Sequence, residues 1–337
     1  STLTALKKHP NFYNKIDNES LLLYLTMAYV PSPRTIWENT KKLPPGHWLL
    51  IENGTVKIKS YWTIKSDSTN NISRNSFLNK ISSIFNRSIE IQSRSDVQVG
   101  TFLSGGVDSG VVTSFFSKHS KNTVDTFTMD FKGKIDNEGD SAQIIAKSLK
   151  IRHHLHNLTI NEALEELDEL LPLMDEPLGD SAIIPSYVLS KMARDHGIKV
   201  VLCGAGGDEL FGGYSRHYKR LRDYIAGSIS FLPLKLINSL SIIFGTKVAH
   251  YLSVAWDKGL AFGLDTSGIH IGLLRKIINE PYHYNKAINL TKNQFKDINK
   301  LEKKWGFGYS RMLIDMQNYL VDNVLAITDK TSMATSI

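Results

Sequence analysis

The stretch Val97-Gln-Val-Gly-Thr-Phe-Leu103, followed at once by Ser104-Gly-Gly-Val-Asp-Ser109, governs the reading of this chain. The first run predicts a strand, the paired glycines a sharp turn, and the apolar residues Val111 to Phe116 a helix behind it. Strand, glycine turn and helix in that order make the repeating unit of a parallel sheet, and such sheets bind ligands beyond the carboxyl ends of their strands. The glycines let backbone approach a phosphate closely. The helix start offers unpaired N–H groups and the positive end of its dipole. Ser104 and Ser109 add hydroxyls. Asp108 repels phosphate unless a divalent cation lies between them, so this loop predicts magnesium. An ordinary strand-to-helix turn would need neither Asp108 nor the two serines.

Outward from this loop the same alternation continues. Val124 to Met129 reads as a second strand, and Ile198-Lys-Val-Val-Leu-Cys203 as a third, nearly continuous in apolar residues as for a strand buried on both faces. Phe77, Ile81, Ile84, Phe85 and Ile89 recur at helical spacing, as do Ala142, Ile145, Ala146 and Leu149. Leu164, Leu167 and Leu171 predict a further helix face, opened by Thr159 and Glu162 in capping-box spacing. From Tyr214 onward the pattern is helical. These elements predict an α/β fold, a parallel twisted sheet with helices on both faces and a helical C-terminal part.

A second glycine-rich loop, Cys203-Gly-Ala-Gly-Gly-Asp-Glu-Leu-Phe-Gly-Gly-Tyr214, follows the third strand. Asp208 and Glu209 therefore emerge at the same sheet edge as Asp108. Two carboxylates from two such loops suit a metal held on a nucleotide's phosphates. The alternative is a flexible loop carrying a solvated acidic pair.

The first 62 residues differ in texture. They hold one apolar helix candidate (Leu21 to Leu25), a proline-bent connection through Tyr29-Val-Pro-Ser-Pro33 and Lys42-Leu-Pro-Pro-Gly-His47, and two alternating runs about Asn53-Gly54, a hairpin signal. That is too little core to fold alone, and it reads as the end of a domain whose beginning is absent. The polar run Ser66 to Asn71 reads as a linker, and the opening residue Ser1 as a sign of an excerpt or a processed product.

Composition narrows the function classes. At 337 residues, 42% hydrophobic and 22% charged, the chain is neither disordered nor a disulfide scaffold. Cys203 is the only cysteine, which suits a reducing, cytoplasmic setting. A net charge of +7 permits a polyanionic ligand without requiring nucleic acid. Phe231 to Val248, broken by Pro233, Lys235, Asn238 and Lys247, reads as buried helix rather than a membrane span. Arg152-His-His154 with His156 reads as a solvated loop, and Arg216 to Arg222 as a helix face or a phosphate-side wall.

Ser104-Gly-Gly-Val-Asp-Ser109 resembles the pyrophosphate loop of the N-type ATP pyrophosphatases. Gly206-Gly-Asp-Glu-Leu-Phe-Gly-Gly-Tyr214 is similar to the glutamine-hydrolysing asparagine synthetase family. Tyr29 to Pro33 and Lys42 to His47 resemble the segment closing that family's glutaminase domain. Asp175-Glu-Pro-Leu-Gly-Asp-Ser181 resembles its substrate-side loop, and Asp322 to Ala334 its late helix, with Asp329-Lys330 where Asp-Arg is more usual. The resemblance implies an adenine nucleotide alpha hydrolase-like synthetase domain over residues 76–337, C-terminally incomplete. It also implies a linker over 66–75 and, over 1–65, the remnant of an α+β glutaminase domain.

It further implies a ligase of asparagine biosynthesis using ATP and Mg2+. Leu103, Met129, Cys203 and Gly204 would surround adenosine. Ser104, Gly105, Gly106, Asp108 and Ser109 would hold pyrophosphate, with Asp108 and Asp208 as magnesium ligands and Asp108, Asp208 and Glu209 as catalytic residues. The implied partners are aspartate or another carboxylate, ATP and ammonia, with neither nucleic acid nor membrane, and a homodimer is compatible with this reading.

Three departures bear on function. No cysteine stands at the amino terminus, so glutaminase activity is expected to be absent from this chain. Ala205 occupies a place where many members carry Asp or Glu. The chain also ends at Ile337, before the family's segment bearing a substrate-side lysine. Ala205 leaves open a relative adenylating another carboxylate, such as a β-lactam- or lasso-peptide-forming cyclase or a sugar-acid amidating enzyme. A tRNA-modifying ATP pyrophosphatase and a non-catalytic scaffold are opposed by Asp208 to Tyr214 and by the intact Asp108–Asp208 pair respectively.

Overall fold

The computed structural model describes residues 2–64, 72–131, 138–218, 227–233, 236, 251–252, 255–267, 271–278 and 280–337. The expected linker run Ser66 to Asn71 and most of the Phe231 to Val248 stretch lie outside the described residues. The chain forms two compact units that do not follow chain order. One combines Ser1–Thr63, Asp175–Asp180 and Asp208–Ala326, and the other Ile64–Met174, Ser181–Gly207 and Ile327–Ile337.

The second unit holds the parallel sheet. Its strands β3 (Val99–Phe102), β4 (Asp125–Phe131), β5 (Arg152–Leu158) and β6 (Val200–Leu202) lie in the order β5-β4-β3-β6. Pairing is parallel throughout, with Thr101 opposite Thr126, Asp125 opposite Arg152, and Val99 opposite Val200. Helices α3 (Arg74–Gln92), α4 (Val107–His119) and α5 (Glu138–Leu149) cover one face. Val99, Val124 and Leu202 pack there on Ile89, Val112 and Phe116, and Leu103 packs on Ala142 and Ala146. Helices α6 (Ile160–Leu170) and α7 (Ile183–Asp195) cover the other, where Phe127 meets Ala193, and Met129 meets Leu158 and Val188. Helices on both faces of a parallel sheet follow from right-handed crossovers, and each strand's period-2 alternation then feeds both cores.

Two readings need correction. Arg152 to Leu158 is not a solvated loop but strand β5 at the sheet edge, an addition to the three strands expected from sequence. Its polar side chains hid it. They are satisfied by partners distant in sequence, since Asp125 accepts from Arg152 Nη2 at 2.9 Å and lies 2.8 Å from His154 Nε2. Helix α6 forms with its Thr159–Glu162 capping box. Yet Leu164 and Leu171 are exposed, and Leu170 and Ala163 are the residues that pack inward.

Among the described residues the first unit is helical apart from one hairpin, β1 (His47–Glu52) with β2 (Thr55–Ser60). Asn53 and Gly54 turn it with φ of 50° and 76°, the left-handed pair that a type I′ turn requires. Helix α2 (Asn18–Met27) is capped by Asp17, which accepts from Ser20 N at 2.6 Å. It buries Leu22 against Leu260 and Leu264, and Leu23 and Met27 against Phe262 and Phe295. Among the described residues no helix is long and apolar enough to cross a membrane.

Candidate functional site

β3 lies between β4 and β6, and its crossover through α4 runs to β4. The loops leaving β3 and β6 therefore part at the point where strand order reverses, which is where open parallel sheets bind ligands. These are the two glycine loops singled out above.

In the first loop Ser109 Oγ lies 2.8 Å from Ser104 Oγ and accepts from Ser104 N at 3.0 Å, while Ser104 Oγ accepts from Gly106 N at 3.2 Å. The two hydroxyls thus tie the turn to itself. Gly106 starts α4 and supplies no side-chain cap, so no side chain of the N-cap covers the first-turn N–H groups. A Cβ on Gly105 would lie 2.6 Å from Ser141 Cβ, so only glycine lets this backbone pass α5. Leu103 and Met129, expected beside adenosine, have their side chains in the sheet's two cores. Only their backbone is left to face a ligand.

The second loop leans on the first. A Cβ at Gly204 would lie 2.8 Å from Ser109 N, and one at Gly207 would run into the Asp108 carboxylate. Cys203 is half-buried, and its desolvation pushes the thiol above the ordinary range. Asp208 follows Gly207 directly at the head of helix α8 (Gly207–Phe211), and Gly213 would clash with the Asp208 carboxylate if it carried a Cβ. Glu209 is 1% exposed and accepts from the Tyr214 hydroxyl at 2.9 Å. Burial raises its carboxyl above the usual range. The Tyr214 hydrogen bond opposes that shift, and the charges of Asp315 and Asp208 add to it.

Two networks carried no signal in the sequence. The Thr128 hydroxyl donates to the Leu103 carbonyl at 2.5 Å and stands 2.8 Å from His153 Nε2, which must then be the donor. Desolvation lowers the pKa of that imidazole, followed by the effect of His154 beside it. Arg216 and His217, read from sequence as a helix face or phosphate wall, are buried instead. Both donate to Asp315 Oδ2 at 2.7 Å.

Magnesium usually takes one or two carboxylates plus substrate phosphates rather than an all-protein cage. Among the described residues no group of three or more His, Cys, Asp and Glu could hold a metal ion. Asp108 and Asp208 each supply the hard carboxylate oxygens that this ion takes, and each is packed against a glycine, Gly207 and Gly213 respectively.

The family model described as asparagine synthase matches residues 80–337. The chain belongs to the asparagine synthase family. The model of a glutamine amidotransferase domain matches residues 1–62. Among curated relatives, asparagine synthetase [glutamine-hydrolyzing] 1 of Bacillus subtilis is 33% identical over 60% of this chain and 32% of its own length. Asparagine synthetase B of Escherichia coli is 28% identical over 57% and 36%. A Methanocaldococcus jannaschii protein bearing the asparagine synthetase name is 30% identical over 97% and 63%. The chain thus spans from about a third to under two thirds of these relatives. An NH3-dependent NAD synthetase from Campylobacter jejuni covers 64% of this chain and 93% of its own at 19% identity and a TM-score of 0.29, too low to carry an argument.

Proposed function

We propose that this member of the asparagine synthase family converts aspartate to asparagine at the expense of ATP, taking its nitrogen from glutamine-derived ammonia in the complete protein. The observation that carries the proposal is the emergence of the Ser104–Ser109 and Gly204–Gly207 loops from neighbouring parallel strands where strand order reverses.

In this reading the backbone of Leu103, Met129, Cys203 and Gly204 receives adenosine, and the N–H groups and hydroxyls of Ser104, Gly105, Gly106 and Ser109 receive pyrophosphate. Asp108 and Asp208 would hold magnesium, which supplies charge neutralisation on the phosphates. A side-chain carboxylate oxygen of aspartate attacks the α-phosphorus while the bond to pyrophosphate breaks, leaving β-aspartyl-AMP. Ammonia then attacks the acyl carbon, AMP leaves, and the proton shed by nitrogen passes to a base. Positioning and fixed dipoles do most of this work. Glu209, a buried carboxylate on the same loop as Asp208, is the third catalytic residue of this reading. A cytoplasmic setting is part of the proposal, supported by the lone cysteine.

Ala205 favours a second reading, a relative that adenylates a different carboxylate. ATP–pyrophosphate exchange, screened across carboxylates with ammonium present, separates the two. Aspartate-dependent exchange is the expected result. Exchange on a sugar acid or peptide carboxylate alone would overturn it in favour of the second reading.

A further inference from the structure

We infer that Arg216 is a positioning residue: pinned by Asp315, it holds the Tyr214 ring so that the Tyr214 hydroxyl fixes the Glu209 carboxylate. This rests on the proposed part of Glu209 in the reaction and adds the device that orients it.

The geometry is that of a clamp. The Arg216 guanidinium carbon lies 3.9 Å from the Tyr214 ring centroid and 4.6 Å from that of Tyr319. The two rings meet edge to face at 5.9 Å and 89°. Nε of Arg216 donates to Asp315 Oδ2 at 2.7 Å, and among the described residues the buried Nη2 has no hydrogen-bond partner. Tyr319 is anchored in turn, donating to Asp180 Oδ2 at 3.1 Å, and Asn323 donates to the same oxygen at 2.6 Å.

A buried guanidinium with an open N–H is costly where hydrogen bonding alone is the gain. What it gains here is contact with two aromatic faces, where a desolvated cation is held strongly. The turn at Gly212, with φ of 77°, brings Tyr214 back onto Glu209 only five residues away. Helix α8 has five residues, too short to order a carboxylate by its own stiffness. The plane of Tyr214 therefore sets where the Glu209 oxygens stand, and Arg216 sets the plane.

Two substitutions test this on the full chain. Arg216→Lys keeps a charge beside Asp315 but has no plane to stack. Tyr214→Phe keeps the stacked ring and removes the hydroxyl. Each should lower kcat for aspartate-dependent exchange about 10- to 100-fold with KM for ATP unchanged. The double variant should be no slower than Tyr214→Phe alone. Losses that multiply in the double variant, a raised KM for ATP, or an unchanged kcat in Tyr214→Phe would overturn the clamp.

A crystal structure of Arg216→Lys gives an arm independent of activity. The Tyr214 hydroxyl should part from Glu209, and an intact 2.9 Å bond would overturn the inference. A parent protein without aspartate-dependent exchange would instead overturn the asparagine reading, and the crystallographic arm would still decide the clamp.

Discussion

Gly207 lies directly against the carboxylate of Asp108: a Cβ at residue 207 would stand 2.6 Å from Asp108 Oδ2 and 2.8 Å from its Cβ. The backbone opening the second glycine loop is thus shaped around a side chain of the first. Gly207→Ala must displace one or the other, since Asp108 Cβ is not the free end of a flexible chain. The expected cost is about 1–3 kcal/mol of stability, as for overpacking elsewhere. Adenylate formation should fall well beyond that effect. Urea unfolding read beside ATP–pyrophosphate exchange checks both, and full activity in the variant would mean that the contact has no part in the site.

Asp108→Asn and Asp208→Asn keep shape and remove charge. If both carboxylates hold magnesium on the phosphates, either change should abolish exchange while unfolding remains as in the parent. Raising magnesium should restore part of the affinity for ATP. Equal exchange rates in parent and both variants would exclude the metal assignment.

Ala205 is exposed, so a longer side chain there meets open space rather than packed atoms. Ala205→Glu should fold as the parent does and raise ammonia-dependent asparagine formation. A well-placed base contributes roughly 100- to 10,000-fold, which sets the upper range of the gain. Weakened ATP binding without any gain in turnover would show that residue 205 sits against the nucleotide instead.

Burial holds the Cys203 thiol neutral at pH 7, an effect that the Ala205 backbone N–H offsets only in part. Alkylation by iodoacetamide should therefore be slow at pH 7 and climb only as the pH passes above the ordinary thiol range. ATP with magnesium should slow it further if the Cys203 backbone borders adenosine. Labelling at an equal rate with and without nucleotide would remove Cys203 from the site. The same thiol is the only one in the chain, so the purified 337-residue protein should release no glutamate from glutamine.

Asp315→Asn removes the counter-charge of a guanidinium that is 7% exposed. Breaking a buried pair on one side leaves the other charge uncompensated and typically costs about 3–5 kcal/mol. Chemical denaturation should show a loss of that size. A loss under about 1 kcal/mol would mean that water reaches Arg216.

The elements legible in the chain were those whose cause is local. Asn53-Gly54 turns its hairpin because only such residues accept two consecutive left-handed conformations. Thr159 and Glu162 start a helix because their side chains reach N–H groups three residues away. The Ser104–Ser109 loop follows β3 because glycine, hydroxyl and helix start act within six residues. Each can be read from neighbours along the backbone, and so can the alternation that predicts a parallel sheet.

What could not be read depends on partners brought close by packing. β5 carries arginine and histidines, and it is a strand because Asp125, Thr128 and Glu162 satisfy them. Arg216 read as part of a helix face or a phosphate-side wall, and it is buried because Asp315, 99 residues away, neutralises it between two phenol rings. Periodicity records where apolar surface must go. The burial of a charge is settled by the arrival of its counter-charge, and that is a property of the folded chain alone.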